Sequence, residues 1–469
     1  MMKMKKNIIQ YSLLGFLMIP LTGCSDFLTV EQKGKTTIPS FLSDPRGLQA
    51  GLVGAYNKFY TYYDGEFSKY PEVAGNMSSV SLSSGSSMLE QYNFTPDSEN
   101  ATTAYYIWYR INEAQVNANN IIQYAPIVEA AYPAEAAKCK KILGQALLLR
   151  AHCHFDLVRV YAQPYNYTAD ASHLGVPVLT RTPGPNDNPA RATVKDVYNQ
   201  VLSDLNQASG LLTDEVATNR FYVSLQAVNA MFSRVYLYME DWQKAFDYAK
   251  RAIANKPLAQ GADYINMYMN LNTPGEAIFR LNGHDMSGKL KEFYTSECFP
   301  ADTLISLYDA DDIRLRLLRQ NGTKKCIKYT ATVIPDNQDK HEDPIIFRLS
   351  EMYLNAAEAA WNLGRYSDAR SYIQAIVERA VGGEKAQEVL AGYSDANLIN
   401  LIRTERVKEL CFEGHNFFDI TRWKQDLVRE RSTASTVQKI AYPSDLFILP
   451  IPRYELNAND NMLPNPNNN

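Results

Sequence analysis

No stretch of this chain is long and apolar enough to cross a bilayer as a helix. The longest candidate, residues 8–21, is interrupted by Gln10, Ser12, Gly15 and Pro20 and falls short of the about 20 apolar residues that a hydrocarbon core of roughly 30 Å requires. Basic clusters are also missing. Lysine and arginine are scattered and the formal net charge is -4, which argues against nucleic acid, because phosphate recognition is built on grouped cations. Catalytic signatures are absent too: there is no His-Glu-x-x-His, no Gly-x-Ser-x-Gly elbow, and no Ser-His-Asp set in a recognisable context. Tryptophan is scarce, at 4 against 31 Tyr and 18 Phe, so an aromatic binding surface would have to be built of tyrosine. Cysteine is too thinly spread for a disulfide scaffold: Cys139 and Cys153 fall on one expected helix about 21 Å apart, beyond bridging distance. With Cys298, Cys326 and Cys411, they read as small buried apolar residues.

What is present begins with Lys3, Lys5 and Lys6, followed by the short apolar run and then Leu21-Thr22-Gly23-Cys24. The charges, the length of the run and the small residue before cysteine resemble a bacterial lipoprotein signal, with cleavage between Gly23 and Cys24 and a lipid on the Cys24 thiol. Residues 1–23 then form a signal peptide and residues 24–469 a single domain, anchored to a membrane rather than spanning it. Removing the signal takes the charge from -4 to -7. No linker divides the remainder. The Ser-rich run 78–87 and the Asn-rich residues 457–469 read as a surface loop and a terminus.

Helical periodicity dominates, so the expected fold class is mostly α. VYLYMEDWQKAFDYAKRAIANKP, from Val235, and AAWNLGRYSDARSYIQAIVER, from Ala359, align without a gap. Trp242 falls on Tyr366, Ala245 on Ala369 and Tyr248 on Tyr372. A turn, an aromatic, and a small residue three positions later resemble the helix pair of the tetratricopeptide repeat. These pairs stand too far apart in the chain for a tandem array, which implies long insertions between them. A third pair is expected within 140–212, with Thr193 capping its second helix ahead of Asp196 and a proline-rich loop at 164–189. A fourth helix is expected at 104–124, on the stripe Trp108, Ile111, Ala118, Ile121 and Ile122. Strands are expected at 277–281, 326–334 and 446–449.

LIRTERVKELCFEGHNFFDITRWKQD, followed by FILPIPRYELNANDNMLPNPNN, resembles the C-terminal signature of the SusD/RagB family of outer-membrane lipoproteins. The matching positions are Glu405, Arg406, Glu409, Leu410, Glu413, Gly414, Asp419, Arg422 and Trp423, with Leu-Pro-Ile-Pro at 449–452. LLLRAHCHFDLVRVYA, VPVL, PGEAIFRL and PIIFRLSEMYLNAAEAAW extend the likeness from Cys24 onward. Asn416 departs from it, since many members carry Arg there. Physically the signature reads as structure: Gly414 suits a left-handed helix end, and the Glu/Arg spacings join helix faces.

Other motifs carry no chemistry. His152 and His154 flank Cys153, but helical neighbours two apart point away from each other, so the three cannot share an ion. GHDMSGKL, at 283–290, mimics a phosphate loop yet has Leu290 where a hydroxyl belongs. Asp309, Asp311 and Asp312 lack the Gly and Glu of a calcium loop, with Arg314 and Gln320 in their places, and read as a solvated turn. No metal or cofactor is expected.

The family resemblance implies a ligand site on two loop regions, 76–94 and 284–299. On that basis Tyr92, Phe94, Phe293 and Tyr294 are expected to stack on ligand, and Asn76, Asn93 and His284 to hydrogen-bond it. Ring faces suit the apolar C–H faces of sugars. The resemblance further implies a non-catalytic, surface-exposed outer-membrane subunit that passes oligosaccharide to a SusC-like TonB-dependent transporter. Rival readings are a peptide ligand, as in the RagB branch, a surface glycosidase with paired carboxylates, and a purely structural lipoprotein.

Overall fold

A computed structural model describes residues 37–468 apart from 83–87, 96–102, 215–219, 255, 271–272, 274, 285, 287, 332–341 and 432. Residues 1–23 and the Cys24 thiol therefore lie outside the described residues. The chain divides into a unit ending at Phe41, which contains the helical turn Ile38–Phe41, and a unit from Leu42 to Asn469.

Long helices form the frame of the larger unit: α1 (Pro45–Tyr63), α2 (Thr103–Ala131), α3 (Ala136–Tyr161), α4 (Val194–Leu211), α5 (Leu225–Met239), α6 (Trp242–Ile253), α7 (Leu349–Asn362), α8 (Tyr366–Val381) and α9 (Leu398–Leu410). Side-chain caps set several of their starts. Asp44 accepts the N–H groups of Arg46 and Gly47 at 2.9 and 2.7 Å, with Pro45 at the first helical position, where its missing donor costs nothing. The expected Thr193 cap is present, its Oγ1 accepting the Asp196 N–H at 3.1 Å. Ser224 and Asp241 do the same for α5 and α6.

Each helix packs on the next along the chain from α1 to α8, and α9 packs against α7 and α8. The aligned pairs explain their own closeness. Ala245 and Ala369 are buried, and the Ser233 hydroxyl donates to the Ala245 carbonyl at 3.1 Å, a distance possible only where small residues face each other. Tyr248 stacks on Phe232 at 4.4 Å, and Tyr372 meets Phe246 edge-on at 5.9 Å, so each ring fills the gap beside its alanine. Gly364, at φ +72°, turns the chain between α7 and α8.

Strands are short and paired in twos: β1 (Ser78–Val80), β2 (Ala277–Arg280), β3 (Cys298–Pro300), β4 (Arg319–Gln320), β5 (Thr323–Lys324), β6 (Ile345–Arg348), β7 (Leu427–Val428) and β8 (Lys439–Ile440). The pairs β1–β3, β2–β6, β4–β5 and β7–β8 are all antiparallel. The expected strand at 277–281 is β2. Its partner β6 was not expected, and two other expectations are corrected. Residues 326–331 form no strand, because Lys328 turns inward to Glu413. At 446–449 the Ser444 side chain caps a short 3-10 turn, Asp445–Phe447.

The signature is buried structure, as its spacings indicate. Glu409 lies between Arg348, Arg379 and Arg314 at 2.6, 2.6 and 3.3 Å. Glu413 takes Arg348 and Lys328, and Arg406 and Arg422 share Asp419. The three arginines hold the Glu409 carboxyl well below the usual range against the opposing pull of burial. This ionic layer joins α9 to a small second core of Tyr264, Ile265, Met267, Tyr268 and Leu317, the Arg379 guanidinium lying 3.9 Å from the Tyr264 ring. Gly414 has φ +83° as expected, and its N–H donates to Glu72 at 2.8 Å. Asp312 is a correction: it is buried on Arg314 at 2.7 Å, and only Asp309 and Asp311 face water.

The Asn-rich segment is stitched down. Asn465 donates to the carbonyls of Tyr161 and Leu449, Asn467 to Ile448, and Asn459 to Pro189. Arg191, which has no carboxylate partner among the described residues, donates to Gly175 and Leu463 carbonyls at 2.7 and 3.0 Å.

Candidate functional site

One face of α1 supplies Val53, Tyr56, Asn57 and Tyr60, spaced so that they share a side of the helix. Phe221 and Tyr222, leading into α5, and the segment after β2, with Leu281, Asn282, His284 and Met286, close a cavity of about 280 Å³ over that face. Its volume approaches the lower end of the range typical of small-ligand clefts.

Hydrogen bonds fix the walls. The Tyr56 hydroxyl donates to Gln145 Oε1 at 2.7 Å and accepts the Val223 N–H at 2.9 Å, which locks its ring. Tyr222 meets that ring edge-on at 5.6 Å and 85°. Asn57 Nδ2 lies 3.2 Å from the Met286 sulfur, and Asn282 Oδ1 accepts the His284 N–H at 2.9 Å. Gly283 lets this loop run against the next segment, since a Cβ there would stand 1.8 Å from the Glu342 carbonyl oxygen.

Beneath the loop lies a strained electrostatic arrangement. Glu342 takes the Tyr60 hydroxyl on its carbonyl and the Lys291 N–H on its carboxyl, at 3.3 and 2.9 Å. Asp64 accepts the Lys289 N–H at 2.8 Å. Burial, and then the neighbouring Asp64 charge, push the Glu342 carboxyl up to about 8. Burial raises Asp64 to about 6, opposed by the backbone N–H groups and Lys69.

Of the residues expected to touch ligand, His284 alone lines this cavity. Tyr92, Phe293 and Tyr294 are buried and show no ring face to a ligand in this structure, so their expected stacking is corrected. Tyr92 packs under the Arg429 guanidinium at 4.6 Å, Phe293 under the Lys69 ammonium at 4.8 Å, and Tyr294 on Tyr329 at 5.5 Å. Half-buried Phe94 lies against Phe417. Asn93 Oδ1 accepts the Thr436 N–H at 3.0 Å, and Asn76 Oδ1 accepts from Asn416 at 3.3 Å. These asparagines therefore tie loops together, and Asn416, the position that departs from the resembled signature, makes an amide contact. Sequence reasoning missed Tyr56, Asn57, Tyr60, Tyr222 and Asn282. The available signal was polar and aromatic side chains on the outer side of an otherwise apolar helix.

His152 and His154 are buried separately. His152 Nε2 lies 2.8 Å from the Tyr63 hydroxyl, and His154 Nε2 accepts the Leu179 N–H at 3.0 Å. Among the described residues, no group of three or more His, Cys, Asp and Glu side chains is placed to hold a metal, and no helix is long and apolar enough to cross a membrane. A second depression, of about 290 Å³, lies on the proline-rich loop between Val178 and Pro189. It has no aromatic lining and is bridged by the Arg181–Asp187 pair at 2.6 Å.

Comparison with known proteins gives a consistent result. Residues 308–467 match the SusD family, and residues 26–237 match the SusD-like family described as starch-binding and associating with the outer membrane. SusD-like protein P2 of Formosa agariphila is 24% identical over 96% of this chain and 97% of its own length. A SusD superfamily protein of Bacteroides thetaiotaomicron superposes with a TM-score of 0.80 at 25% identity, covering 90% of this chain and 100% of that one. A SusD-like carbohydrate binding protein of Bacteroides vulgatus shares the fold, with a TM-score of 0.75 at 20% identity over 90% of this chain and 97% of its own.

Proposed function

The chain belongs to the SusD/RagB family, and on that premise we propose that it is a cell-surface glycan-binding lipoprotein, tethered through Cys24, that acts as the lid of a SusC-like TonB-dependent transporter. Its work is capture, with no bond made or broken. The observation that carries the reading is the cavity over α1. Tyr222 and Tyr56 offer aromatic surface, and Asn57, Asn282 and His284 supply polar groups around it, the combination that receives a sugar's C–H face and its hydroxyls. A lipid tether keeps the lid near its transporter at high effective concentration.

The test uses residues 25–469 on a glycan array, followed by calorimetry. A shallow site of this kind binds an oligosaccharide in the micromolar to millimolar range, about -4 to -8 kcal/mol. Tyr222→Ala with His284→Ala is expected to weaken binding by about tenfold, through loss of roughly 1–2 kcal/mol of stacking and hydrogen bonding. Full affinity in that variant moves the site elsewhere, and binding of peptides in place of glycans replaces the ligand class.

A further inference from the structure

A second cluster of aromatic side chains lies outside the cavity, where the start of α2 meets the short helix Arg453–Ala458. Tyr105 is its centre. Its ring stacks on Tyr109 at 5.8 Å and 18°, meets Tyr106 at 5.4 Å, and lies 5.1 Å from Tyr454. Tyr106, Tyr109 and Tyr454 are 37%, 48% and 57% exposed. At the edge, Arg110 pairs with Glu66 and lies 5.4 Å from the Tyr106 ring, a neutral pair that adds hydrogen-bonding groups to the rim.

From this arrangement we infer a second glycan-binding platform, formed by Tyr105, Tyr106, Tyr109 and Tyr454, that holds a polysaccharide chain while the cavity takes one part of it. The inference rests on the proposed function for its ligand class. Phenol rings provide faces for sugar C–H groups and hydroxyls for sugar hydroxyls. The centroids of Tyr106, Tyr109 and Tyr454 lie 5.4, 5.8 and 5.1 Å from that of Tyr105. The exposed portions of the three outer rings sum to roughly 300 Å², well below the ~800 Å² per partner of a stable protein interface and ample for a few sugar rings. Two sites on one polymer raise retention through effective concentration, without any change at either site.

The test is native electrophoresis of residues 25–469 in gels containing amylopectin, xylan, pectin, laminarin or mannan, with a short oligosaccharide of the retarding polymer measured by calorimetry. Tyr109→Ala with Tyr454→Ala, both exposed and free of core packing, is expected to cut polymer retention at least fivefold and to change short-oligosaccharide affinity less than twofold. Tyr109→Phe with Tyr454→Phe keeps the rings and is expected to retain most of the effect. Undiminished retention in the alanine pair overturns the platform and leaves the proposed function standing. Retention unchanged while a co-purifying membrane protein is lost overturns it in favour of a protein contact. If no polymer retards the unaltered protein, the platform and the proposed function fall together.

Discussion

Replacing Glu342 with Gln should stabilise the protein, and increasingly so as pH rises. Glu342 is 4% exposed, and its carboxyl pKa stands at about 8, against 4.5 for the free group. In the native state it takes its proton below about pH 8, whereas in the unfolded chain it does so only below about 4.5. Stability from this group is therefore fully present below 4.5 and is lost as pH climbs through 8. Within that window, from 4.5 to about 8, each pH unit costs the native state about 1.4 kcal/mol, on the order of 5 kcal/mol in all. Glutamine mimics the protonated acid: its Oε1 can still accept the Lys291 N–H, and its amide replaces Oε2, which has no hydrogen-bond partner among the described residues. The measurement is urea unfolding of both proteins at pH 5, 6, 7 and 8. Comparing them at each pH cancels the buried His152 and His415, whose lowered pKa values make them lose stability as pH falls; Asp64, raised to about 6, acts on Glu342 through its charge, so that coupling is part of the difference measured. The difference should be near zero at pH 5 and grow by at least 2 kcal/mol by pH 8. A constant difference, or a variant weaker at every pH, would refute the assignment of the strain to this carboxyl.

Three further outcomes are expected. Glu409→Gln removes the anion shared by Arg348, Arg379 and Arg314 and should lower stability by about 3–5 kcal/mol, read as a fall in thermal midpoint; because this carboxyl is held well below its usual range, the wild-type advantage should vanish in acid. Gly283→Ala forces a Cβ toward the Glu342 carbonyl, 1.8 Å away if nothing shifts. It should cost about 1–3 kcal/mol and weaken oligosaccharide binding by displacing His284, seen by calorimetry and by faster proteolysis of the loop. Cys24→Ser should release the protein from the membrane fraction into the soluble one, a result that fractionation and immunoblotting would check.

The frame was legible because its information is local. Ala245, Tyr248, Ala369 and Tyr372 encode helix pairs in a handful of neighbouring positions, and Thr193 marks a helix start by a contact three residues away. The site was less legible because what covers a side chain is not local. Tyr92 reads as an exposed loop aromatic until Arg429, which donates to its carbonyl from 337 positions away, is found across its ring. Tyr294 is hidden by Tyr329 and Phe412. β6 escaped notice for the same reason: four residues hold too little pattern, and its partner β2 lies in another part of the chain.

The stitching by Arg191, Asn459, Asn465 and Asn467 bears on the order of events during synthesis. The Ile448 and Leu449 carbonyls receive side-chain donors from Asn467 and Asn465, the Tyr161 carbonyl from Asn465 and Arg191, and Arg191 reaches Leu463. Until residues 459–467 have been made, the carbonyls of Pro189, Ile448 and Leu449 lack these side-chain donors and face water instead. A nascent molecule that cannot close early stays threadable, which is the condition a protein needs if it must pass through a narrow export channel before it acquires its shape.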